Sequence, residues 1–228
     1  MKKKHWYIVL LISGIVIFIL TYNITSYYYS YKKDLEFKEE LAKYNFSELK
    51  ELNSDIVGFI EVDNTSISYP IVKSTDNSYY LNHYYDKKKN EIGSIFLDYR
   101  NDLDNLSKNN IIYGHGRVDN TMFGSLNNLL DIDDKKNYYI KVTTPKKIMK
   151  FKIFSVYTIP KESYYIKTYF SSNKYFKEFL ETIMKRSIYN FNTSVSTNDK
   201  ILTLSTCKDN FGKRVVVHAK LLKKEETS

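Results

Sequence analysis

The chain has 228 residues, with 35 Lys and Arg against 26 Asp and Glu, a formal net charge of +9, and 43% hydrophobic residues that include 22 Tyr and 13 Phe. So much apolar and aromatic material supports a packed core and excludes a disordered spacer. The basic excess is spread along the chain rather than gathered into a run interleaved with aromatics, which excludes nucleic acid as a partner and suits an anionic wall or membrane surface. Cys207 is the sole cysteine, so no intrachain disulfide can form.

Lys2, Lys3 and Lys4 precede a mostly apolar run from Trp6 to Leu20, and no charge follows until Lys32. A helix over this stretch is long enough to cross a bilayer core of about 30 Å. The lysines predict a cytoplasmic N-terminus, and Trp6, Tyr7, Tyr22 and Tyr27 to Tyr29 stand where interfacial aromatics are expected. A cleaved signal peptide would need a small-x-small site, and the residues after Leu20 (Thr-Tyr-Asn-Ile-Thr-Ser-Tyr) offer none. The expected organisation is a cytoplasmic tip and transmembrane anchor over 1–25, a helical stalk over 26–54 and one folded domain over 55–228, facing outward.

Ser30 to Tyr44 is charged and helix-prone, and Ser47 is placed to cap a short helix ending near Asn53. Strands are expected at Val57 to Val62, Ile67 to Val72, Gly93 to Leu97, Asn110 to Tyr113, Tyr138 to Thr143 and Lys147 to Ile159. Pro70 removes a ladder donor, so its strand should be an edge or carry a bulge. Ser172 to about Ile188 reads as a helix whose Phe176, Phe179, Leu180, Ile183 and Met184 form a core stripe. Lys200 to Thr206 and Arg214 to Leu222 close the list of strands. Many short strands with few helices imply a mainly β fold, a closed or nearly closed barrel.

Alternation puts Leu202, Leu204 and Thr206 on one face and Thr203, Ser205 and Cys207 on the other, so the thiol ends a strand on its polar side. Asp209, Asn210 and Gly212 are turn formers that can fold the last strand back and bring Arg214 near Cys207. Among the histidines, His5 falls on the cytoplasmic side, His218 is four residues along a strand from Arg214, and His83 sits among aromatics as a packing residue. His115 follows a strand between Gly114 and Gly116, which free the backbone to present an imidazole.

His-Gly after a Tyr-ending strand, Thr-Leu-Ser-Thr-Cys207, and Arg214 opening the next strand resemble the sortases, the membrane-anchored cysteine transpeptidases of Gram-positive bacteria. Asp55-Ile-Val-Gly-Phe, Ile67-Ser-Tyr-Pro-Ile-Val, Asn77-Ser-Tyr-Tyr-Leu-Asn-His83, Gly93-Ser-Ile-Phe-Leu-Asp-Tyr-Arg100 and Thr121-Met-Phe resemble class B, over residues 50 to 222. The resemblance implies a closed eight-stranded β-barrel with N-terminal helices and a long helix between strands six and seven. It also implies Cys207 as nucleophile, His115 as acid/base and Arg214 as the group that steadies the oxyanion. Asn77, Leu81, Tyr113, Tyr165, Ile166 and Ser205 fall where class B enzymes line the groove for the sorting signal. Lys208 departs from the acidic residue that follows the cysteine in some members, and Asp209 is assigned to the turn rather than to the catalytic set.

The implied reaction is cleavage of a C-terminal sorting signal after Thr through a thioester, then transfer of the protein to an amine of peptidoglycan or its lipid-linked precursor. The partners are surface proteins bearing that signal, the wall amine and the membrane; no metal or organic cofactor is implied. A guanidinium suits the oxyanion because it keeps its proton beside a thiolate. The alternatives are pilin polymerisation, where a lysine replaces the wall amine, a wall L,D-transpeptidase, and a non-catalytic wall-binding protein. An L,D-transpeptidase carries a Ser-x-Gly-Cys-x-Arg pattern, whereas here Thr206 precedes the cysteine and Arg214 lies seven residues beyond it.

Overall fold

A computed structural model describes residues 2–41, 45–133, 135–206 and 212–226. Two compact units divide near residue 43. The first contains a single helix, α1 (Lys2–Leu41). Within it, the 24 residues Trp6–Tyr29 are long and apolar enough to cross a membrane, at about 36 Å for 1.5 Å per residue. Three hydroxyls of this stretch turn inward on the helix: Ser13 donates to Leu10 O, Thr21 to Ile17 O, and Thr25 to Thr21 O. An apolar medium demands such internal partners.

The second unit begins with α2 (Phe46–Leu52). Its N-cap is Asn45 rather than Ser47: Asn45 Oδ1 accepts from Glu48 N at 3.0 Å while Glu48 Oε2 accepts from Asn45 N at 2.8 Å. This reciprocal box satisfies two helix-end donors at once, which a hydroxyl two residues later cannot do.

Eight strands follow: β1 (Ile56–Val62), β2 (Ser68–Val72), β3 (Ile95–Leu97), β4 (Asn109–Gly114), β5 (Tyr139–Thr143), β6 (Lys147–Pro160), β7 (Ile201–Thr206) and β8 (Lys213–Glu226). They close into a mixed barrel in the order β1-β2-β3-β4-β7-β8-β6-β5. Pro70 does not mark an edge, since β2 pairs with β1 on one side and β3 on the other. The parallel ladder to β3 includes only Ile71 and Val72, so Pro70 lies beyond it, and the β1–β2 register shifts between Ile56 and Gly58. A proline is accommodated where one neighbour is short.

Helix α3 (Asn173–Lys185) starts at the Ser172 cap and buries Phe176, Phe179, Leu180 and Ile183. These pack with Phe154, Tyr157, Tyr165, Ile201 and Val216 in one apolar cluster against β6, β7 and β8. Met184, expected in the stripe, is 39% exposed. At about 100° per residue it stands some 80° from Phe176, at the margin of the buried face. The covering layer also changes the reading of β7: all six of its residues are buried, including the polar Thr203 and Ser205. Its polar face is turned into a hydrogen-bonded interior, not to solvent.

Candidate active site

β4 delivers His115 at the barrel's end. Gly114 is required there, because a Cβ would meet the Phe123 ring at 2.8 Å. The loop that follows is pinned by Phe123 N donating to His115 O at 3.0 Å and by the Gly116 to Met122 bridge. Inside it Asp119 takes Arg117 Nη2 and the Thr121 hydroxyl, each at 2.6 Å. Burial alone would raise the Asp119 carboxyl, but these donors hold it below the usual carboxylate range.

The half-buried imidazole of His115 donates from Nε2 to Leu81 O at 2.7 Å. A carbonyl only accepts, so in the neutral ring Nε2 carries the proton and Nδ1 is the nitrogen that can exchange one. Gly93, with φ +64°, lies beneath this contact, where a Cβ would stand 2.7 Å from Leu81 O and 2.9 Å from His115 Cδ2.

Strand register brings the two flanking groups together. Gly114 pairs with Thr206 across the parallel β4–β7 ladder, and Ser205 pairs with Val216 across β7–β8. Val215 N donates to Thr206 Oγ1 at 2.9 Å. His115 therefore leaves one neighbouring strand, and Arg214 belongs to the other, at the end of β7; adjacent strands run about 4.8 Å apart. Cys207, Lys208 and Asp209 lie outside the described residues.

Arg214 Nη1 donates to the Tyr165 hydroxyl at 3.0 Å, and that hydroxyl pairs with Ser205 Oγ at 2.9 Å. Tyr165 is fully buried and belongs to the 3-10 turn Tyr164–Ile166 between β6 and α3. Tyr113 OH and Asn77 Nδ2 each donate to Asp98 Oδ2 at 3.0 Å. Asp98 also receives a bidentate fork from Arg100, whose Nη2 reaches on to Ile166 O at 3.0 Å. Burial pushes Asp98 up, yet Arg100 and Tyr113 outweigh it and keep the carboxyl below its ordinary value. Burial, with Asp98 beside it, pushes the Tyr113 phenol well above its ordinary range.

All six predicted groove residues make hydrogen bonds of this kind: Tyr165 with Arg214 and Ser205, Asn77 and Tyr113 with Asp98, Ile166 with Arg100, and Leu81 with His115. His83 and His218 are each held by other partners. His83 stacks on Tyr79 at 4.0 Å and bonds its carbonyl. His218 is fully buried between Tyr157 OH and Thr203 Oγ1. Sequence reading missed Asp98, Arg100 and Asn109. The first two stood within the quoted Gly93 to Arg100 run, where an acid and a base two apart were the available signal. The open hollows lined by Glu61, Lys141 and Lys150 and by Asp104, Lys146 and Lys147 are mixed-charge surfaces that share none of these residues. Among the described residues no three His, Asp or Glu side chains converge as a metal would require.

The family model for the sortase domain matches residues 60–222. Sortase B of Staphylococcus aureus is 33% identical over 243 aligned residues, covering 97% of this chain and 98% of that protein. The chain belongs to the sortase family, in its class B. Sortase B of Listeria monocytogenes is 40% identical over 185 residues, 78% of this chain and 74% of that protein. A crystal structure of sortase B from B. anthracis in complex with AAEK1 superposes with a TM-score of 0.71 at 42% identity, covering 78% of this chain and 84% of that one. The closed barrel described above is the sortase B barrel, and the chain is a class B sortase transpeptidase, a cysteine enzyme of cell-wall protein anchoring. The apolar span of α1 is compatible with a membrane anchor.

Proposed function

We propose that Cys207 is the nucleophile of this transpeptidase, His115 its acid/base and Arg214 its oxyanion partner. The Cys207 thiolate attacks the Thr carbonyl carbon of a C-terminal sorting signal, and the carbonyl oxygen takes up negative charge that the Arg214 guanidinium neutralises. Collapse of this intermediate breaks the peptide C–N bond, His115 gives its Nδ1 proton to the departing amine, and a thioester remains on sulfur. An amino group of peptidoglycan or its lipid-linked precursor then attacks the thioester, yields a proton to His115 and releases the thiolate. The groove is lined by Asn77, Leu81, Tyr113, Tyr165, Ile166 and Ser205.

One observation carries this reading: His115 and Arg214 flank Thr206 from the two strands beside β7, and Cys207 is one peptide bond further on. In this reading residues 1–25 are the cytoplasmic tip and anchor, 26–54 the stalk and 55–228 the catalytic barrel on the outer face, which the apolar span Trp6–Tyr29 of α1 supports.

The test is a fluorogenic comparison of NPxT-type and LPxT-type peptides with residues 26–228, with and without added amine. Cleavage after Thr with an amine-linked product is expected. Absence of cleavage for both peptides, or a product distribution indifferent to amine, overturns the proposal.

A further inference from the structure

The 3-10 turn Tyr164–Ile166 has little to hold it from within. It has no side-chain cap, and its recorded backbone bond is Ile166 N to Ser163 O at 3.3 Å. Three consecutive carbonyls in and after it are instead gripped from outside by side chains of another part of the barrel. Asn109 Nδ2 donates to Tyr165 O at 3.2 Å and to Lys167 O at 2.9 Å, and Arg100 Nη2 donates to Ile166 O at 3.0 Å.

Each gripping residue is itself fixed. Asp98, fully buried, takes Arg100 Nε at 2.8 Å, Nη2 at 2.7 Å and the Arg100 backbone N at 3.0 Å. Asn109, also fully buried, accepts the Thr203 hydroxyl on Oδ1 at 2.6 Å. Because Thr203 spends its proton there, it accepts from His218 Nδ1, and His218 Nε2 accepts from Tyr157 OH. The direction of every proton in this chain is forced, so the amide of Asn109 cannot turn over without leaving a buried group unpaired.

We propose that Asp98, Arg100 and Asn109 form a clasp that positions the Tyr164–Ile166 turn and, through the Tyr165 hydroxyl, aims the Arg214 guanidinium. They are positioning residues for transpeptidation; the inference rests on Arg214 being the oxyanion partner. Tyr165 is the lever: its backbone is clamped at one end and its hydroxyl meets Arg214 and Ser205 at the other. An ion pair such as Asp98–Arg100, with the carboxylate buried and the guanidinium 36% exposed, is a weak stabiliser, whereas its fixed fork geometry defines a position. The same carboxylate holds Tyr113 and Asn77, so the clasp also positions these two groove residues.

The experiment uses the full chain in detergent micelles, with the sorting peptide and amine chosen above and turnover normalised to the thiol titrated by a methanethiosulfonate. Arg100→Met removes the contact to Ile166 O, and Tyr165→Phe removes the lever's contact to Arg214. Since a misplacement of about 1 Å can cost about 100-fold, each single variant should lose at least about tenfold in kcat. The double variant should be no slower than Tyr165→Phe alone. Arg100→Lys, which keeps the charge without the fork, guards against a folding defect and should also lose kcat while its melting point stays near wild type. Multiplicative losses in the double variant, or wild-type kcat in both Arg100 variants, overturn the clasp. Arg214→Ala separates the two levels: wild-type turnover there removes the oxyanion assignment itself, whereas an inactive Arg214→Ala beside unimpaired Arg100 variants removes only the clasp.

Discussion

Lowering the pH from 6.5 to 4.5 should drain stability from the barrel through one residue, His218. It is fully buried, and burial, with Arg186 nearby, pushes its imidazole down to about 3 from the ordinary 6.5. The folded state thus holds the ring neutral while the unfolded chain protonates it, so the unfolded state binds more protons throughout that window. Stability is complete above about pH 6.5 and falls as pH drops toward 3. At about 1.36 kcal/mol per pH unit, the loss is about 2.7 kcal/mol by pH 4.5 and approaches 5 kcal/mol in the limit, against a total of about 5–15 kcal/mol for ordinary domains. Carboxylates held below their usual range, Asp98 and Asp119 among them, add most of their loss below about pH 4, which leaves the larger part of the upper window to His218. Denaturant unfolding of residues 45–228, followed by circular dichroism at half-unit pH steps, measures the slope. His218→Gln should be less stable at neutral pH but flatter between 6.5 and 4.5. A wild-type profile flat across that window, or an equal slope in His218→Gln, refutes the buried neutral imidazole.

Gly93→Ala should cost about 1–2 kcal/mol from its left-handed backbone alone, and more from the approach to Leu81 O and His115 Cδ2. Turnover should fall about tenfold or more as His115 shifts; thermal melting read with peptide cleavage checks both, and unchanged turnover contradicts the tight seat under the imidazole. Phe179→Ala, at a side chain 1% exposed in the α3 cluster, should destabilise by about 3–5 kcal/mol. A denaturant midpoint that corresponds to less than 1 kcal/mol, on the scale of such truncations, would mean that α3 does not pack as described.

Most of the barrel was legible because its strands alternate strongly and are punctuated by turns. β1, β4, β6 and β7 begin within a residue or two of the places their patterns predict. What local pattern could not convey was which surface lies outermost. The Thr203 and Ser205 face of β7 reads as its polar side from alternation, and only the arrival of α3 and the Tyr164–Ile166 turn, contributed by earlier segments of the chain, buries it. Of the two expectations for Pro70, the edge fails because β3 pairs with β2, whereas the β1–β2 ladder does carry an irregularity, between Ile56 and Gly58. At the site, Cys207, His115 and Arg214 stood out by rarity, glycine flanks and position after a turn. Asp98, Arg100 and Asn109 did not, because an ion pair and a buried amide carry no periodic signature; their meaning lies in carbonyls contributed by another segment.

The central claim is that a substrate acyl group is carried on Cys207 between His115 and Arg214. Intact-mass measurement of the enzyme quenched during turnover of a sorting peptide tests it most directly. The account predicts an added mass equal to the acyl fragment ending in Thr, mapped to Cys207, discharged by an added amine and absent from Cys207→Ala. A substrate adduct on another side chain, or amine-linked product formed by Cys207→Ala at the wild-type rate, would contradict it.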